Sequence, residues 1–254
     1  MPILTVSNLQ KIYTTRFGGT QVKALSDVSF TIDEGEYVAI MGESGAGKTT
    51  LLNILATLDR PTSGKVFIGD YDLSHIKESQ LATFRRQNLG FVFQDFNLLD
   101  TFSVKDNIIL PLILGGEKPD TAKQKVMPVA LRLGIAELLN KFPYEISGGQ
   151  KQRVAVARAL ITNPKLVMAD EPTGALDSKA TDSLLQIFRD INSTGQTILM
   201  VTHSVKAASH ANRVLFIKDG VVYHQIHRGK DTNEQLYQKI SDTLTLLATG
   251  GDVA

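Results

Sequence analysis

The stretch Gly42-Glu43-Ser44-Gly45-Ala46-Gly47-Lys48-Thr49 lies between two apolar segments of different period. Residues 37–41 form a short apolar run typical of a buried strand, and residues 49–58 carry an apolar face at helical spacing. The stretch fits the pattern G-x-x-x-x-G-K-[ST], in which glycines let backbone N–H groups converge on an anion. A helix that follows directly would turn its positive N-terminus toward the same anion. The sequence therefore predicts a loop that binds nucleotide phosphates.

Two side chains of this loop have predicted tasks of their own. Lys48 would reach the β- and γ-phosphates of a nucleotide, and the Thr49 hydroxyl would bind Mg²⁺. A glycine-rich turn that matches by chance is the alternative, and the flanking strand and helix argue against it. The predicted phosphate-binding residues are Gly42, Ser44, Gly45, Ala46, Gly47, Lys48, Thr49 and Thr50.

Composition limits the classes of protein to which the chain can belong. Its 254 residues, 43% of them hydrophobic, suffice for one large α/β domain or two small ones. A formal net charge of +1 gives no basic footprint for nucleic acid, and the absence of cysteine excludes disulfides. The N-terminus lacks the pattern of a signal peptide, and the apolar run at 108–114 is far shorter than a membrane span. We expect a chain that does not cross a bilayer by itself.

Strands and helices alternate along most of the sequence, which predicts a mostly parallel sheet with helices on both faces. Within this alternation, the pattern of residues 95–160 predicts a helical insert. Its helices are expected to break at Pro111, at Gly115-Gly116 and at Pro119. An apolar stripe in residues 232–254 predicts an amphipathic C-terminal helix and tail. The predicted strands cover residues 3–13, 28–32, 37–41, 65–68, 89–93, 166–170, 197–202, 213–217 and 221–226.

Two further motifs carry acidic residues or glycines. An apolar run at 166–169 ends in Asp170 and Glu171, and a buried strand delivers side chains to a nucleotide site at its C-terminal end. Asp170 is predicted to hold Mg²⁺, through water, and Glu171 to polarise an attacking water. In the second motif, Ser147 can cap a helix that starts near Gly148.

Taken in chain order with Gln94, Ala175-Leu176-Asp177 and His203, these motifs resemble those of the ATP-binding cassette (ABC) ATPases. Ile146 stands where this family usually has leucine, a conservative change at a packing position. The resemblance covers residues 3–225 and implies an α/β fold of the P-loop NTPase type, with a mostly parallel core sheet, an N-terminal antiparallel β part and a helical subdomain at about 95–160. The ABC domain would span residues 1–231. The matching motifs are Walker A at 42–49, the Q-loop residue Gln94, the signature at 147–151, Walker B at 166–171, the D-loop Ala175-Leu176-Asp177 and the switch histidine His203.

The resemblance also implies roles for single residues, with ATP as substrate and Mg²⁺ as cofactor. Tyr13 matches the position that stacks on adenine, the alternative being a tyrosine packed at a strand end. Asp177 would connect the two active sites of a dimer in which two copies share ATP. Ser147, Gly148 and Gly149 would close over the γ-phosphate of ATP held by the other copy, and Gln150 is a further expected nucleotide-binding residue. The expected catalytic residues are Lys48, Gln94, Glu171 and His203, and the expected metal ligands are Thr49, Gln94 and Asp170.

Three kinds of function compete for such a chain: the ATPase subunit of a transporter, a soluble cassette ATPase and a small-molecule kinase. The signature disfavours a kinase, which needs no second phosphate-closing loop. The short distance between Lys48 and Ile146 leaves no room for a long coiled-coil arm, and the single cassette disfavours the translation-factor branch. The low net charge disfavours a nucleic-acid partner. The transporter subunit is therefore favoured.

Short segments extend the resemblance. Residues 53–64 and 171–178 are similar to the macrolide-exporter and lipoprotein-release branch, and residues 90–101 to its bacitracin-resistance type. That type implies a polytopic permease with a large extracellular domain, often a sensor histidine kinase, and a peripheral position on the cytoplasmic face of a bacterial membrane. The implied function is resistance to bacitracin or lantibiotics. Lipoprotein release, macrolide export and cell division are the alternative functions within the same branch. Four apolar residues within 94–114 are expected either to form a seat for the permease or to pack inside the helical insert. They are Phe96, Leu98, Leu99 and Phe102.

Overall fold

The computed structural model describes residues 1–14 and 19–248 of the chain. Its strands are β1 Pro2–Thr14, β2 Gln21–Asp33, β3 Tyr37–Met41, β4 Ser63–Ile68, β5 Tyr71–Asp72, β6 Leu89–Phe93, β7 Leu166–Asp170, β8 Thr197–Val201, β9 Arg213–Lys218 and β10 Val221–His227. Its α-helices are α1 Lys48–Leu55, α2 Glu78–Asn88, α3 Val104–Leu114, α4 Pro119–Arg132, α5 Gly148–Leu160, α6 Ser178–Ser193, α7 Val205–Ala208 and α8 Asn233–Ala248.

One compact unit comprises residues 1–76 together with 199–254, so that its boundary falls within β8. Its strands follow the order β5-β4-β1-β2-β10-β9-β3-β8. Strand β1 pairs antiparallel with β2 and β4, whereas β3 pairs parallel with β9. Every residue of β3 is buried, as its unbroken apolar sequence predicts. In contrast, the end of β2 alternates buried and exposed residues from Val28 to Ile32, which is typical of a half-buried strand.

The other compact unit comprises residues 77–198. Strands β6 and β7 pair in parallel, with Phe93 opposite Asp170, so both strands end at the same edge. Helix α5 lies so close to β6 that a Cβ at Gly90 would be 2.5 Å from the Ala159 carbonyl oxygen. Apolar side chains of several helices form its core, among them Val104, Ile108, Val126, Val154, Val156, Leu185 and Phe188.

Several elements agree with the sequence-based expectation. Strands β3, β6 and β7 have the predicted bounds, because each is an apolar run that ends at a polar or glycine residue. The antiparallel β part at the N-terminus and the parallel pairs confirm the predicted α/β class. Helix α8 presents Leu236 and Ile240 to the interior, and both are fully buried. The predicted tail after residue 248 lies outside the described residues.

Strand β2 begins at Gln21 rather than at residue 28, and two predictions about helices are also wrong. Helix α1 ends at Leu55 rather than at residue 58, because the chain turns at Thr57 with a left-handed φ of 55° and leaves Leu58 59% exposed. Pro111 does not break the helix, since it lies inside α3. Burial of Ile108, Ile109 and Leu112 around the proline holds the backbone helical, despite the N–H that proline lacks.

Candidate functional site

The phosphate loop, residues 42–49, connects the buried strand β3 to helix α1. Lys48 Nζ donates hydrogen bonds to the carbonyl oxygens of Gly42 and Glu43, at 2.7 and 2.8 Å. The Ala46 N–H donates to the same Glu43 carbonyl at 3.2 Å and tightens the loop. Because α1 begins at Lys48, its unpaired N–H groups and positive dipole end belong to this loop. The loop therefore has the backbone and the cation that a phosphate group requires.

Two glycines of the loop fit where no larger residue could. A Cβ at Gly42 would lie 2.2 Å from the Ile217 carbonyl oxygen of β9. Gly47, the N-cap of α1, has a left-handed φ of 100°, and a Cβ there would lie 2.4 Å from the Ala24 carbonyl oxygen. The backbone of β9 and β2 thus supports the loop from behind, which fixes the path that carries Lys48.

Tyr13 and His203 belong to the same unit as the phosphate loop. Tyr13, near the end of β1, is 42% exposed. His203 is also exposed and follows β8 after Thr202, whose N–H donates to the Ile40 carbonyl oxygen at 3.1 Å. Since Ile40 lies in β3, the chain that carries His203 is attached to the strand that leads into the loop.

Asp170 and Glu171 stand at the end of β7, where the buried run 166–169 gives way to half-buried positions. Glu171 has a left-handed φ of 44°, which non-glycine residues rarely adopt. Its carbonyl oxygen accepts a hydrogen bond from the Gly174 N–H at 2.9 Å, which closes the turn. Backbone strain of this kind clusters at functional sites, and here it redirects the chain at the predicted catalytic carboxylate.

Gln94 directly follows β6 and lies against the loop after Glu171. A Cβ at Gly174 would lie 3.1 Å from the Gln94 amide oxygen, so the glycine leaves room for this carboxamide. Gln152 of α5, fully buried, donates through Nε2 to the carbonyl oxygens of Phe93 at 3.1 Å and Pro172 at 2.7 Å. One side chain therefore fixes the backbone beside both Gln94 and Glu171.

The segment after Gln94 is held by hydrogen bonds from the side chain of Arg158. Phe96 and Asn97 both have left-handed backbones, with φ of 60° and 49°. Arg158 of α5 donates to the Phe96 carbonyl oxygen at 2.8 Å and also to that of Asn97. Burial lowers the pKa of Arg158 from its usual high value, but a guanidinium keeps its charge in proteins. These charge-assisted bonds offset the strain of the two residues.

The signature segment starts helix α5 as the sequence predicts. Ser147 Oγ accepts a hydrogen bond from the Gln150 N–H at 3.3 Å, and the Gln150 amide oxygen accepts one from the Ser147 N–H at 2.9 Å. This reciprocal pair is a capping box. A Cβ at Gly149 would lie 2.9 Å from the Ala180 Cβ, so glycine allows the start of α5 to approach α6. Asp177 caps α6 by accepting a hydrogen bond from the Ala180 N–H at 2.8 Å.

Each unit contains part of the predicted set. The unit formed by residues 1–76 and 199–254 contains Tyr13, Gly42, Ser44, Gly45, Ala46, Gly47, Lys48, Thr49, Thr50 and His203. The unit formed by residues 77–198 contains Gln94, Ser147, Gly148, Gly149, Gln150, Asp170, Glu171 and Asp177. The first set offers donors for phosphate, and the second offers acidic and amide groups together with a capped helix start.

The donor set predicted for Mg²⁺ consists of hard oxygens. The exposed residues Thr49 and Gln94 would contribute a hydroxyl and an amide oxygen, and the half-buried Asp170 would contribute a carboxylate. Such oxygens suit Mg²⁺, which binds through few protein ligands beside phosphate oxygens and water. When bound, the ion would neutralise charge on a triphosphate.

A phosphate loop, together with a carboxylate that can polarise water, suits the hydrolysis of a nucleoside triphosphate. The family model described as ABC transporter matches residues 25–174 of the chain. The chain belongs to the ABC transporter family and is an ABC ATPase. This confirms the family, the fold and the enzymatic activity that the motifs imply.

Relatives of this ABC ATPase match it over nearly its whole length. It is 48% identical over 246 residues to the ABC transporter ATP-binding protein YxdL of Bacillus subtilis, covering 96% of this chain and 94% of the relative. It is 45% identical over 248 residues to the bacitracin export ATP-binding protein BceA of Halalkalibacterium halodurans, covering 97% of each. Among solved structures, a dimeric post-hydrolysis state of the ATP-binding cassette MJ0796 bound to ADP and Pi has a TM-score of 0.79 and 37% identity, covering 88% of this chain and 98% of that one.

None of the helices in residues 1–14 and 19–248 of the ABC ATPase is both long and apolar enough to cross a membrane. Sequence reasoning missed four supporting residues: Gln152 and Arg158, and also Lys11 and Asp59, which form an ion pair at 2.6 Å next to Tyr13. Two of them left a signal. Lys11 shares a strand face with Tyr13, and Gln152 is a polar residue at the start of a helix whose following positions are apolar.

Proposed function

We propose that this ABC ATPase powers a separate, polytopic membrane permease that protects a bacterial envelope against peptide antibiotics of the bacitracin or lantibiotic type. The observation that carries this proposal is the 45% identity to a bacitracin export ATP-binding protein over 97% of both chains. The similarity of residues 90–101 to the bacitracin-resistance type supports the same assignment.

In the proposed cycle, two copies of the chain bind ATP and pair, and hydrolysis loosens the pair. Lys48 and the loop N–H groups bind the phosphates, Tyr13 stacks on adenine, and His203 contacts the γ-phosphate. Glu171 accepts a proton from the attacking water, while Ser147, Gly148 and Gly149 close over ATP held by the other copy. Catalysis is then chiefly positioning and electrostatic stabilisation of the transferring phosphoryl group. A dimeric relative bound to ADP and Pi supports the pairing.

Mg²⁺ is the proposed metal, with Thr49, Asp170 and Gln94 as its ligands. Their oxygen atoms are the donors that this ion prefers, and the carboxylate contributes the single negative charge of the set. Asp177 keeps one carboxylate oxygen in the α6 cap, which leaves its second oxygen for a contact across the dimer.

The segment 94–114 is the proposed seat for the permease. Leu99 and Phe102 are 44% and 38% exposed, whereas Phe96 and Leu98 are half-buried. The fully buried Asn107 fixes this segment, because its side chain accepts from the Leu99 N–H at 2.8 Å and donates to the Leu99 carbonyl oxygen at 3.0 Å. Rigid support of exposed apolar side chains suits a docking surface, because little order is lost on binding.

The proposed location is the cytoplasmic face of the bacterial cell membrane, where the chain would be held by its permease. A sensor histidine kinase is a further proposed partner, and nucleic acid is not a proposed partner.

The test is a pull-down of the tagged chain from detergent-solubilised native membranes, with the recovered proteins identified by mass spectrometry. We expect a polytopic permease with a large extracellular domain, and loss of the gene should sensitise cells to bacitracin or nisin. Recovery of soluble partners alone would refute the transport role and leave the ATPase chemistry intact.

A pair of leucine variants tests the proposed seat in the same experiment. Leu99→Glu should abolish recovery of the permease, because it places a charge in an apolar contact. The matched control is Leu131→Glu on α4, a residue that is 64% exposed and lies outside the segment. Equal recovery with both variants would contradict the docking role of the segment.

A further inference from the structure

The carboxylate of Asp59 is the centre of a small polar cluster beside Tyr13. Tyr13 donates its hydroxyl proton to Asp59 Oδ2 at 2.7 Å, and Lys11 Nζ donates to Asp59 Oδ1 at 2.6 Å. The side chains of Lys11 and Asp59 are 13% and 29% exposed. An ion pair with this degree of burial is less screened than one on an open surface. The cluster therefore holds the tyrosine ring by its distal end.

Asp59 is itself fixed to helix α1, at whose N-terminus the phosphate loop ends. The N–H groups of Leu58 and Asp59 both donate to the Asn53 carbonyl oxygen, at 2.8 and 3.2 Å. The Lys11 ammonium also donates to the Arg60 carbonyl oxygen at 2.7 Å, which holds the turn after α1 against β1. The tyrosine is thus attached to the same helix that presents N–H groups to phosphate.

Only part of the Tyr13 ring is open to a ligand. Lys11 Nζ lies over the ring at 4.7 Å from its centroid, within the range of a cation–π contact. Tyr13 as a whole residue nevertheless remains 42% exposed. An aromatic ring held at its hydroxyl, covered by a cation and still exposed is arranged for stacking rather than for packing in the core.

The charge states of the cluster agree with this arrangement. Partial burial raises the pKa of the Asp59 carboxyl, but hydrogen bonds from Lys11, Tyr13 and the Arg60 N–H, with the charge of Lys11, together outweigh that effect and leave the pKa below its usual value. Burial, and then the hydrogen bond to Asp59, raise the pKa of the Tyr13 phenol above its usual value. At neutral pH, an ionised acceptor therefore faces a protonated donor.

We propose that Asp59 and Lys11 are positioning residues that hold the Tyr13 ring in the orientation in which a nucleobase stacks on it. The inference rests on the proposed role of Tyr13 in binding adenine. Because the ring is ordered before ATP arrives, binding loses less side-chain freedom than it would with a mobile tyrosine. The cluster should strengthen binding of ligands that carry a base and leave binding of the phosphates alone unaffected.

The test compares two ligands by isothermal titration calorimetry of the full chain: ATP, and inorganic tripolyphosphate, which has no base. Asp59→Ala should raise the Kd for ATP about three- to tenfold, the effect of leaving one side chain, the Tyr13 ring, to be immobilised on binding. The Kd for tripolyphosphate should stay the same, and the effect on ATP hydrolysis should fall on KM rather than kcat. The matched control is Asp70→Ala, which removes an exposed carboxylate from the turn between β4 and β5.

Tyrosine variants separate the possible outcomes. Tyr13→Phe keeps the ring and removes its bond to Asp59, so it should weaken ATP binding less than Tyr13→Ala and reduce the effect of a second change at Asp59. If Tyr13→Ala leaves the ATP affinity unchanged, the proposed role of Tyr13 fails. If Tyr13→Ala weakens ATP binding but Asp59→Ala and Tyr13→Phe do not, the role of Tyr13 stands and the positioning inference is overturned. Equal loss of ATP and tripolyphosphate binding in Asp59→Ala would also overturn it.

Discussion

Replacement of Gln152 by leucine should destabilise the protein by a margin that can be worked out from two hydrogen bonds. The Gln152 amide group donates to the Phe93 and Pro172 carbonyl oxygens, and its side chain is fully buried. Leucine has a similar size but no donor, so both carbonyl oxygens lose this partner, that of Pro172 at a buried position and that of Phe93 at a part-buried one. Each buried hydrogen bond of this kind contributes about 1 kcal/mol net, and leaving its partner unsatisfied costs about 1–3 kcal/mol.

One term acts in the opposite direction. The Gln152 amide oxygen is buried and has no hydrogen-bond partner among the described residues, so leucine removes one unsatisfied acceptor. The net loss should therefore be about 2–4 kcal/mol. Since domains of this kind are stable by about 5–15 kcal/mol, the variant should still fold.

Urea denaturation followed by far-ultraviolet circular dichroism measures this loss. The matched control is Gln186→Leu on α6, which removes only an exposed hydrogen bond to Asp190 and should change stability by less than about 0.5 kcal/mol. The Gln152 variant should also hydrolyse ATP about ten- to a hundredfold more slowly, because the backbone beside Gln94 and Glu171 loses its shared anchor. A change in stability no larger than that of the control would refute the reasoning.

Four other variants or conditions test the site. Glu171→Gln should bind ATP, release phosphate about a hundredfold or more slowly, and accumulate as a dimer in size-exclusion chromatography with ATP. Lys48→Ala should lose most of its ATP affinity in a calorimeter, because the cation that faces the phosphates is gone. Gly174→Ala should lower kcat about tenfold in a phosphate-release assay, since its Cβ would lie 2.9 Å from the Gln94 side-chain carbon. The stability that Asp59 contributes should be fully present at neutral pH, because the folded pKa of its carboxyl is lowered. It should shrink as pH falls from about 3.8 through that lowered pKa, so urea titrations of wild type and Asp59→Ala should approach each other over this range.

Each of these expectations has a clear contrary result. Normal turnover by Glu171→Gln would remove that residue from the role of base, and unchanged ATP binding by Lys48→Ala would contradict the phosphate loop. Wild-type kcat in Gly174→Ala would show that the position of Gln94 does not depend on this glycine. A stability difference for Asp59→Ala that did not shrink as pH fell below about 3.8 would show that the ionised carboxylate is not its source.

The parts of the fold that could be predicted are those encoded by local pattern. Strands β3, β6 and β7 are continuous apolar runs with polar ends, and the Ser147 cap is set by residues three apart. The continuation of α3 through Pro111 could not be predicted, because it depends on burial of neighbouring side chains. The early end of α1 depends on a left-handed residue, Thr57, which is not one of the types that favour this conformation.

The same limit applies to the candidate site. Its motifs name the residues that would touch ATP, because phosphate chemistry demands particular residue types at a fixed spacing. The residues that hold those groups in place follow no short pattern. Lys11 and Asp59 are joined only by the fold, as are Gln152 and Phe93. A single sequence therefore yields predictions for the contacts with substrate but none for the residues that support them.

The left-handed backbone at Glu171 has a consequence for protein engineering. Glycine and asparagine adopt this conformation more readily than glutamate does, so either residue would relieve local strain at the end of β7. A library of variants selected for heat resistance alone would be expected to enrich such replacements at position 171 and to lose hydrolysis with them. Directed evolution of this ATPase toward thermostability should therefore hold position 171 fixed, or select for turnover in the same round.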